Sequence, residues 1–270
     1  EIYTEVDTLS LHDALPILKI YNIKLGSNII LGSSKYPTPK IFQNCIKKSG
    51  TRMITVAVRR LVPESEDFLK VIKKTKCHIL PNTAGCFSAK EAIATAEMAR
   101  ELFKTNLIKL EVIENKSTLK PSTGGTIKAA EQLIDRGFKV LPYITDNLNF
   151  AKAMESLGCE VIMPWGSHIG SGRGLDNLSK LKIIREEIHD KTLIVDAGIG
   201  RVSHICQVME LGFDGVLLNS AVVNSKSPEK FAEALSIGMK AVQTSIKAGP
   251  MEQREYATAS TSNKGRPFSK

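Results

Sequence analysis

Eight short runs of β-forming residues alternate with longer helical stretches from Leu18 onward. Consecutive strands separated by one helix run parallel, because the chain crosses back before the next strand begins. Repetition of this unit gives either a closed barrel or an open, doubly wound sheet. The eight predicted strands are Ile29–Gly32, Met53–Val58, His78–Asn82, Leu107–Ile113, Lys139–Ile144, Glu160–Trp165, Thr192–Ala197 and Gly215–Ala221.

The number of these units favours the closed barrel. The chain has 270 residues, and single-domain (β/α)8 barrels run to about 250 residues. No G-x-G-x-x-G motif, the mark of dinucleotide-binding open sheets, follows the first predicted strand. The sequence therefore predicts a single-domain α/β protein with a (β/α)8 TIM barrel over residues 18–250.

Both ends of the chain differ from the predicted barrel. Residues 1–17 are acidic, whereas the whole chain has a formal net charge of +9. They lack the basic and apolar regions of a secretory signal. We expect this segment to be a leader that is no part of the native fold. Residues 251–270 are polar, and we expect a flexible C-terminal tail there.

Helix boundaries can also be read from the sequence. Ser88 followed by Glu91 has the capping-box spacing, and Ser227-Pro228 is typical of a helix start with proline at its first position. A glycine in the left-handed conformation often ends a helix. The glycines predicted to end helices in this way are Gly50, Gly137, Gly158 and Gly212.

Composition excludes several classes of function. The five cysteines are scattered and form no C-x-x-C pair, which argues against a disulfide framework or a zinc site and indicates a reducing cytoplasm. No cluster of ligand-type residues has metal spacing, so we expect neither a metal nor another cofactor. No apolar run is long enough for a membrane span. The lysines are spread along the chain, so we expect no nucleic-acid partner.

The fourth predicted strand carries the strongest chemical signal. Because side chains alternate along a strand, Lys109 and Glu111 point into the barrel while their neighbours face the helices. Apolar surroundings lower the pKa of a lysine and so favour the free amine that forms an imine with a ketone. Glu111 is then a candidate general acid or base. A purely structural Lys–Glu pair is the alternative.

Glycine-rich turns follow the sixth and seventh predicted strands. Asp196 ends the seventh strand and precedes Ala197-Gly198, and the loop 166–172 follows the sixth. Backbone N–H groups in such turns bind phosphate, and loops after strands seven and eight form the common phosphate site of these barrels. Ordinary turn glycines are the alternative. His168 in the sixth loop is a candidate proton shuttle or simply an exposed polar residue.

Six segments that fall in order along the chain resemble the bacterial-type thiazole synthase (ThiG) family of thiamine biosynthesis. They reach from the third predicted strand to the eighth. Singly these segments are weak signals, but together they are highly specific. The segments are Leu80–Gly85, Ile108–Ile113, Val140–Tyr143, Ile169–Gly172, Val195–Gly200 and Leu218–Ala221.

The resemblance implies a barrel enzyme acting on 1-deoxy-D-xylulose 5-phosphate. Lys109 would form the Schiff base, and Glu111 and Asp196 would be the acid/base carboxylates. The positions matching the family's sugar-phosphate binding residues are Gly170, Ala197, Gly198, Asn219 and Ser220. The implied partner is a small ubiquitin-like sulfur-carrier protein with a C-terminal thiocarboxylate. Dehydroglycine would supply the C–N unit, and a homo-oligomer is implied.

Some residues depart from the family's pattern. Lys120–Gly125 replaces a stretch that usually contains Pro-Asp-Pro, His168 stands where proline is usual, and Ser220 where threonine is usual. Two other functions remain open at this point. One is a Schiff-base aldolase for a phosphorylated sugar, and the other is a non-catalytic scaffold that binds a phosphate ligand.

Overall fold

The computed structural model describes residues 18–60, 66–258 and 260. The predicted leader, residues 1–17, lies outside the described residues, as do residues 261–270 of the predicted tail. The division into leader, barrel and tail therefore remains a prediction. The last helix ends at Ala248, and residues 251–258 are exposed and form neither helix nor strand.

Eight parallel strands close into a barrel, which confirms the predicted fold class. The barrel closes where the last strand pairs with the first, with Val216 opposite Ile29. A two-stranded antiparallel hairpin, β1 (Leu18–Ile20) and β2 (Ile23–Leu25), precedes it. The barrel strands are β3 (Ile29–Gly32), β4 (Met53–Ala57), β5 (His78–Asn82), β6 (Leu107–Leu110), β7 (Lys139–Ile144), β8 (Val161–Pro164), β9 (Thr192–Asp196) and β10 (Gly215–Leu218).

Several strands end earlier than their sequences suggest. The fourth predicted strand was expected to reach Ile113, yet β6 ends at Leu110. Ile113 instead forms an isolated antiparallel bridge with Pro121, so the chain leaves the barrel wall after Leu110. The eighth was expected to reach Ala221, but Ser220 begins a helical turn. A run of β-forming residues does not reveal where a partner strand stops.

Helices follow the barrel strands and begin and end at the predicted signals. Ser88 Oγ accepts a hydrogen bond from the Glu91 N–H, while the Glu91 carboxylate accepts one from the Phe87 N–H rather than from Ser88. All four glycines expected to end helices have a φ between 69° and 91°. The helices are α1 (Pro39–Ser49), α2 (Glu66–Lys74), α3 (Ala89–Phe103), α4 (Thr123–Asp135), α5 (Leu148–Ser156), α6 (Leu178–Glu187), α7 (Val202–Glu210), α8 (Ser220–Val223) and α9 (Pro228–Ala248).

An apolar layer fills the barrel interior and is continuous with the hairpin. Leu18, Ile20 and Leu25 of the hairpin are buried in one cluster with inward-facing side chains of the barrel strands. The Tyr21 hydroxyl donates to the Val140 carbonyl at 2.7 Å, and Thr192 Oγ1 donates to the Lys19 carbonyl at 2.8 Å. Both contacts lie at the beginning of a strand. The hairpin therefore closes the N-terminal end, and the opposite end is left for chemistry.

The described helices include none that is both long enough and apolar enough to cross a membrane. All five cysteines are free thiols, and Cys45, Cys86 and Cys159 are buried.

Replacement of Ile20 by alanine should lower the free energy of unfolding by about 2–5 kcal/mol, because a fully buried side chain leaves a cavity at the barrel floor. Urea denaturation measures the change. Lys24→Ala in the same hairpin is the control and should stay within about 0.5 kcal/mol, since Lys24 is exposed. Equal effects of the two substitutions would mean that the hairpin does not pack into the barrel.

Candidate active site

A buried lysine and two buried carboxylates meet at the C-terminal end of the barrel. Lys109 on β6 lies with its Nζ 2.9 Å from Glu111 Oε1 and 2.5 Å from Asp196 Oδ2. Each of the three residues is at most 5% exposed. Asp196 is the last residue of β9, so the contact joins two non-adjacent strands across the barrel. The three residues predicted to be catalytic form one ion-paired triad.

The charge state of Lys109 differs from the sequence-based expectation. Burial lowers the pKa of Lys109, but Asp196 and Glu111 raise it by more, so the pKa lies above its ordinary value. The expected lowered pKa is therefore wrong for the resting site, because two carboxylates and not apolar groups surround the amine. Burial raises the pKa of Asp196 and Glu111 adds to this effect, while Lys109 opposes it.

Tyr143 on β7 was not identified from the sequence as a site residue. Lys109 Nζ lies 5.5 Å from the centroid of the Tyr143 ring. The side chain is fully buried, and its hydroxyl has no hydrogen-bond partner among the described residues. Burial, Asp196 and Glu111 together raise the pKa of Tyr143 well above its usual value, so the hydroxyl keeps its proton. Because side chains alternate along a strand, the position of Tyr143 two residues after Leu141 on β7 could have predicted that both point into the barrel.

Thr83, directly after β5, holds the backbone of Glu111 in place. Its hydroxyl donates to the Glu111 carbonyl at 2.7 Å and accepts from the Glu111 N–H at 2.8 Å. This residue is fully buried. Glu111 lies just beyond the end of β6, so these bonds replace the strand pairing that the backbone has lost there. The hydroxyl fixes the position from which the Glu111 side chain reaches Lys109.

A cavity of about 320 Å³ opens above the triad. It lies at the carboxyl ends of the strands, where barrel enzymes carry their active sites. Lys109, Glu111 and Asp196 line it, as do all the residues expected to bind the sugar phosphate, namely Gly170, Ala197, Gly198, Asn219 and Ser220. The structure thus brings every predicted site residue to one cavity, and their individual roles remain predictions.

Close backbone contact fixes the loops after β8 and β9. The Gly174 N–H donates to the Gly198 carbonyl at 2.8 Å. Gly198 has a φ of +82°, and a Cβ there would lie 2.3 Å from Ser167 Oγ. Ala197 is also left-handed, with a φ of +75°, which is unfavourable for a residue other than glycine. Only glycine fits at Gly198, so the turn is shaped by contact with its neighbouring loop.

The loop after β3 also reaches the cavity, and no sequence signal had indicated it. Ser34 and Lys35 line the cavity wall. Asn219 Nδ2 donates to the Ser34 carbonyl at 3.0 Å, which joins this loop to the one after β10. Closure of the barrel, with β10 paired to β3, is what brings the two loops together.

His168 and Cys86 do not belong to the cavity wall. The imidazole of His168 packs against the Trp165 ring, with 5.0 Å between the centroids. The Trp165 indole in turn donates to Asp146 Oδ1 at 2.9 Å. Cys86 is fully buried, with its Sγ 3.3 Å from Thr95 Oγ1. His168 therefore packs against an aromatic ring outside the cavity wall, and Cys86 is part of the core.

The segment that departs from the family's pattern, Lys120–Gly125, forms an ordinary helix start. Ser122 Oγ accepts a hydrogen bond from the Gly125 N–H at 3.3 Å and caps α4. Lys120 pairs with Glu114 on the surface at 3.2 Å. Leu119, the residue just before this segment, lines the cavity. The changed residues therefore preserve the helix start and leave the triad untouched.

Comparison with known proteins agrees with the geometry. Residues 19–262 match the family described as "Thiazole biosynthesis protein ThiG". A thiazole synthase of Nitrobacter hamburgensis is 44% identical over 255 residues, which cover 93% of this chain and 98% of the relative. A thiazole synthase of Burkholderia lata is 46% identical over 254 residues, which cover 93% of this chain and 94% of the relative.

A solved structure shows the same architecture. The crystal structure of the Amycolatopsis orientalis BexX/CysO complex contains a chain that is 25% identical, with a TM-score of 0.80. The match covers 90% of this chain and 100% of that one. The likeness therefore extends over both the barrel and the loops that carry the cavity.

Replacement of Thr83 by valine should destabilise the protein by about 2–4 kcal/mol. Valine has the same shape but leaves the Glu111 N–H and carbonyl buried without their hydroxyl partner, at about 1–3 kcal/mol for each unsatisfied group. Urea denaturation gives the change in unfolding free energy. Thr83→Ser keeps the hydroxyl and is the matched control. If serine were as damaging as valine, the methyl group rather than the hydroxyl would be the essential part of Thr83.

Proposed function

The chain belongs to the ThiG family of thiazole biosynthesis proteins and is a thiazole synthase, and we propose that it builds the thiazole ring on an imine of Lys109. The substrate in this proposal is 1-deoxy-D-xylulose 5-phosphate. The observation that carries it is the Lys109–Glu111–Asp196 triad at the floor of the cavity. A primary amine and two carboxylates are the groups needed to form an imine and to move protons along the sugar.

The cavity supports one orientation of the substrate. The ketone lies at the Lys109 end, and the phosphate lies by the turns of Gly170, Ala197-Gly198 and Asn219-Ser220, which line the same cavity. The left-handed backbone at Ala197 and Gly198 shapes the turn that borders the cavity there. A phosphate held there leaves the carbon chain of the sugar to extend toward the triad.

Imine formation begins with the loss of a proton from Lys109. The raised pKa keeps the amine protonated at rest, so a neighbouring carboxylate accepts the proton as the ketone approaches. Asp196 suits this step because burial raises its pKa and its Oδ2 lies 2.5 Å from Nζ. The amine attacks the carbonyl carbon, and the hydroxyl group of the adduct leaves as water after the carboxylic acid returns the proton. The imine then acts as the electron sink for proton shifts along the chain.

Sulfur and the C–N unit enter from outside. We propose that a ubiquitin-like carrier protein delivers sulfur as a C-terminal thiocarboxylate and keeps a carboxylate after transfer. The oxygen that this carboxylate gains comes from the sugar carbon that takes up the sulfur. The nitrogen of dehydroglycine then displaces the Lys109 amine from the imine carbon, the sulfur bonds to the imine carbon of dehydroglycine, and water is lost as the ring closes to the thiazole phosphate carboxylate. The related BexX structure, which is a complex with a second protein, CysO, supports a protein partner for this chain.

The alternatives left open by the sequence have less support. An aldolase would share the lysine and the phosphate turns, but the matched family and relatives are thiazole synthases. A scaffold has no use for a buried triad, because burying three charged groups costs free energy and apolar side chains would fill the same space more cheaply. Free thiols throughout the chain support a cytoplasmic location.

Borohydride trapping with 1-deoxy-D-xylulose 5-phosphate should leave a reduced adduct on the peptide that contains Lys109, detected by mass spectrometry. Lys109→Ala should abolish the adduct. Because alanine leaves two buried carboxylates without a cation, at a cost of about 3–5 kcal/mol, Lys109→Arg is tested beside it. Arginine keeps the positive charge but forms no imine.

The control for this experiment is Lys120→Ala, which removes a surface lysine paired with Glu114. It should keep the full yield of adduct. Circular dichroism shows whether each variant is folded. An adduct that persists in folded Lys109→Arg, or one found on another lysine in the unmodified protein, would overturn the assignment.

The rate of imine formation should rise with pH, because only the unprotonated amine attacks and the Lys109 pKa is raised. Glu111→Gln removes one of the two charges that raise this pKa and leaves Asp196 to accept the proton, so the midpoint of the pH profile should move to lower pH. Glu187→Gln, which removes an exposed carboxylate paired with Lys152, should leave the midpoint in place. The profile is measured as trapped adduct against pH, and an unmoved midpoint in Glu111→Gln would contradict the electrostatic account.

A further inference from the structure

Of the two lysines that line the cavity, one is paired with carboxylates of the described residues and the other is not. The charged residues of its wall are Lys35, Lys109, Glu111 and Asp196. Lys109 already pairs with both carboxylates, and the triad carries one excess negative charge when all three groups are ionised. Lys35 is thus the remaining cation of the wall, and among the described residues no carboxylate lies within ion-pair distance of its Nζ.

A phosphate monoester brings close to two negative charges into this cavity. The groups expected to hold it, on Gly170, Ala197-Gly198 and Asn219-Ser220, are all uncharged. Backbone N–H groups and an amide can orient phosphate oxygens, but they do not neutralise them. The excess negative charge of the triad also opposes the entry of a dianion. A cation among the lining residues would therefore strengthen binding of the phosphate by neutralising part of this charge.

Lys35 is placed to supply that cation. It lies in the turn after β3, which the hydrogen bond from Asn219 Nδ2 to the Ser34 carbonyl ties to the loop after β10. Its backbone is left-handed, with a φ of +68°, which is unfavourable for a residue with a Cβ. Glycine would suit that conformation better. This position is nevertheless occupied by a lysine that is exposed and lines the cavity.

We propose that Lys35 binds the phosphate of the sugar substrate and makes the enzyme select phosphorylated over free 1-deoxy-D-xylulose. This inference rests on the proposed function, because it assigns the phosphate end of that same cavity. The ammonium group acts as a point charge toward the phosphate oxygens, while the neighbouring backbone groups orient them. Lys35 is a binding and specificity residue and takes no part in proton transfer.

The test compares two sugars in the borohydride-trapping assay. Lys35→Gln should raise the concentration of 1-deoxy-D-xylulose 5-phosphate needed for half-maximal trapping by about ten- to a hundredfold, the value of one charge-assisted contact. With unphosphorylated 1-deoxy-D-xylulose the same variant should equal the unmodified protein. Inorganic phosphate should compete with the phosphorylated sugar in the unmodified protein, and more weakly in Lys35→Gln.

Three further variants separate charge from backbone conformation. Lys40→Gln, in the first turn of α1 and outside the cavity wall, changes the net charge equally and should have no effect. Lys35→Arg should retain most of the phosphate preference. Lys35→Gly should be at least as stable as the unmodified protein to heat, yet lose the preference as Lys35→Gln does.

The outcomes distinguish this inference from the proposed function. No adduct in the unmodified protein with either sugar would overturn the imine mechanism itself. A normal adduct in the unmodified protein, with Lys35→Gln equally impaired for both sugars or for neither, would overturn the role of Lys35 alone. If Lys35→Gln weakens binding of the phosphorylated sugar but Lys35→Gly does not, the conformation of the turn, and not the charge of Lys35, determines binding.

Discussion

The ion-paired triad inside the barrel is the constraint around which the rest of this molecule is arranged. Three charged side chains, each nearly inaccessible to solvent, are tolerated only because they compensate one another at 2.5–2.9 Å. The strands that carry Lys109 and Asp196 must therefore keep their relative height across the barrel, since a shift of one residue would reverse the direction of either side chain. The apolar hairpin at the other end contributes the burial that offsets the cost of this polar layer.

Two contacts between loops shape the cavity that borders this polar layer. The turn at Gly198 is pressed against the loop after β8, where no Cβ fits, and Asn219 ties the loop after β10 to the loop after β3. These contacts join loops that are far apart in the sequence but adjacent around the barrel. The buried triad, the glycine-containing turns after β8 and β9, and the exposed Lys35 all line this one cavity.

Much of this arrangement could be predicted from the sequence. Strand-helix alternation predicted the barrel, and the period of two along the fourth predicted strand correctly placed Lys109 and Glu111 in the same cavity, although β6 itself ends at Leu110. What sequence reasoning missed depends on pairs of residues brought together by closure. Thr83 meets Glu111 because β5 lies beside β6, and Ser34 meets Asn219 because β10 returns to β3. The pKa of Lys109 was misjudged for the same reason, since Asp196 is distant along the chain but in contact in space.

The raised pKa of Lys109 has a consequence for how the two ends of the cavity interact. An amine held between two carboxylates is stable as the cation and so does not react with a ketone until a proton has moved. Arrival of a phosphate dianion nearby favours retention of that proton still more, which would slow the chemistry. A cation beside the phosphate reduces the effect of the phosphate charge on the Lys109 proton. Binding the phosphate and freeing the amine are thus coupled electrostatic problems, and in this proposal Lys35 and Asp196, which line the same cavity, address both.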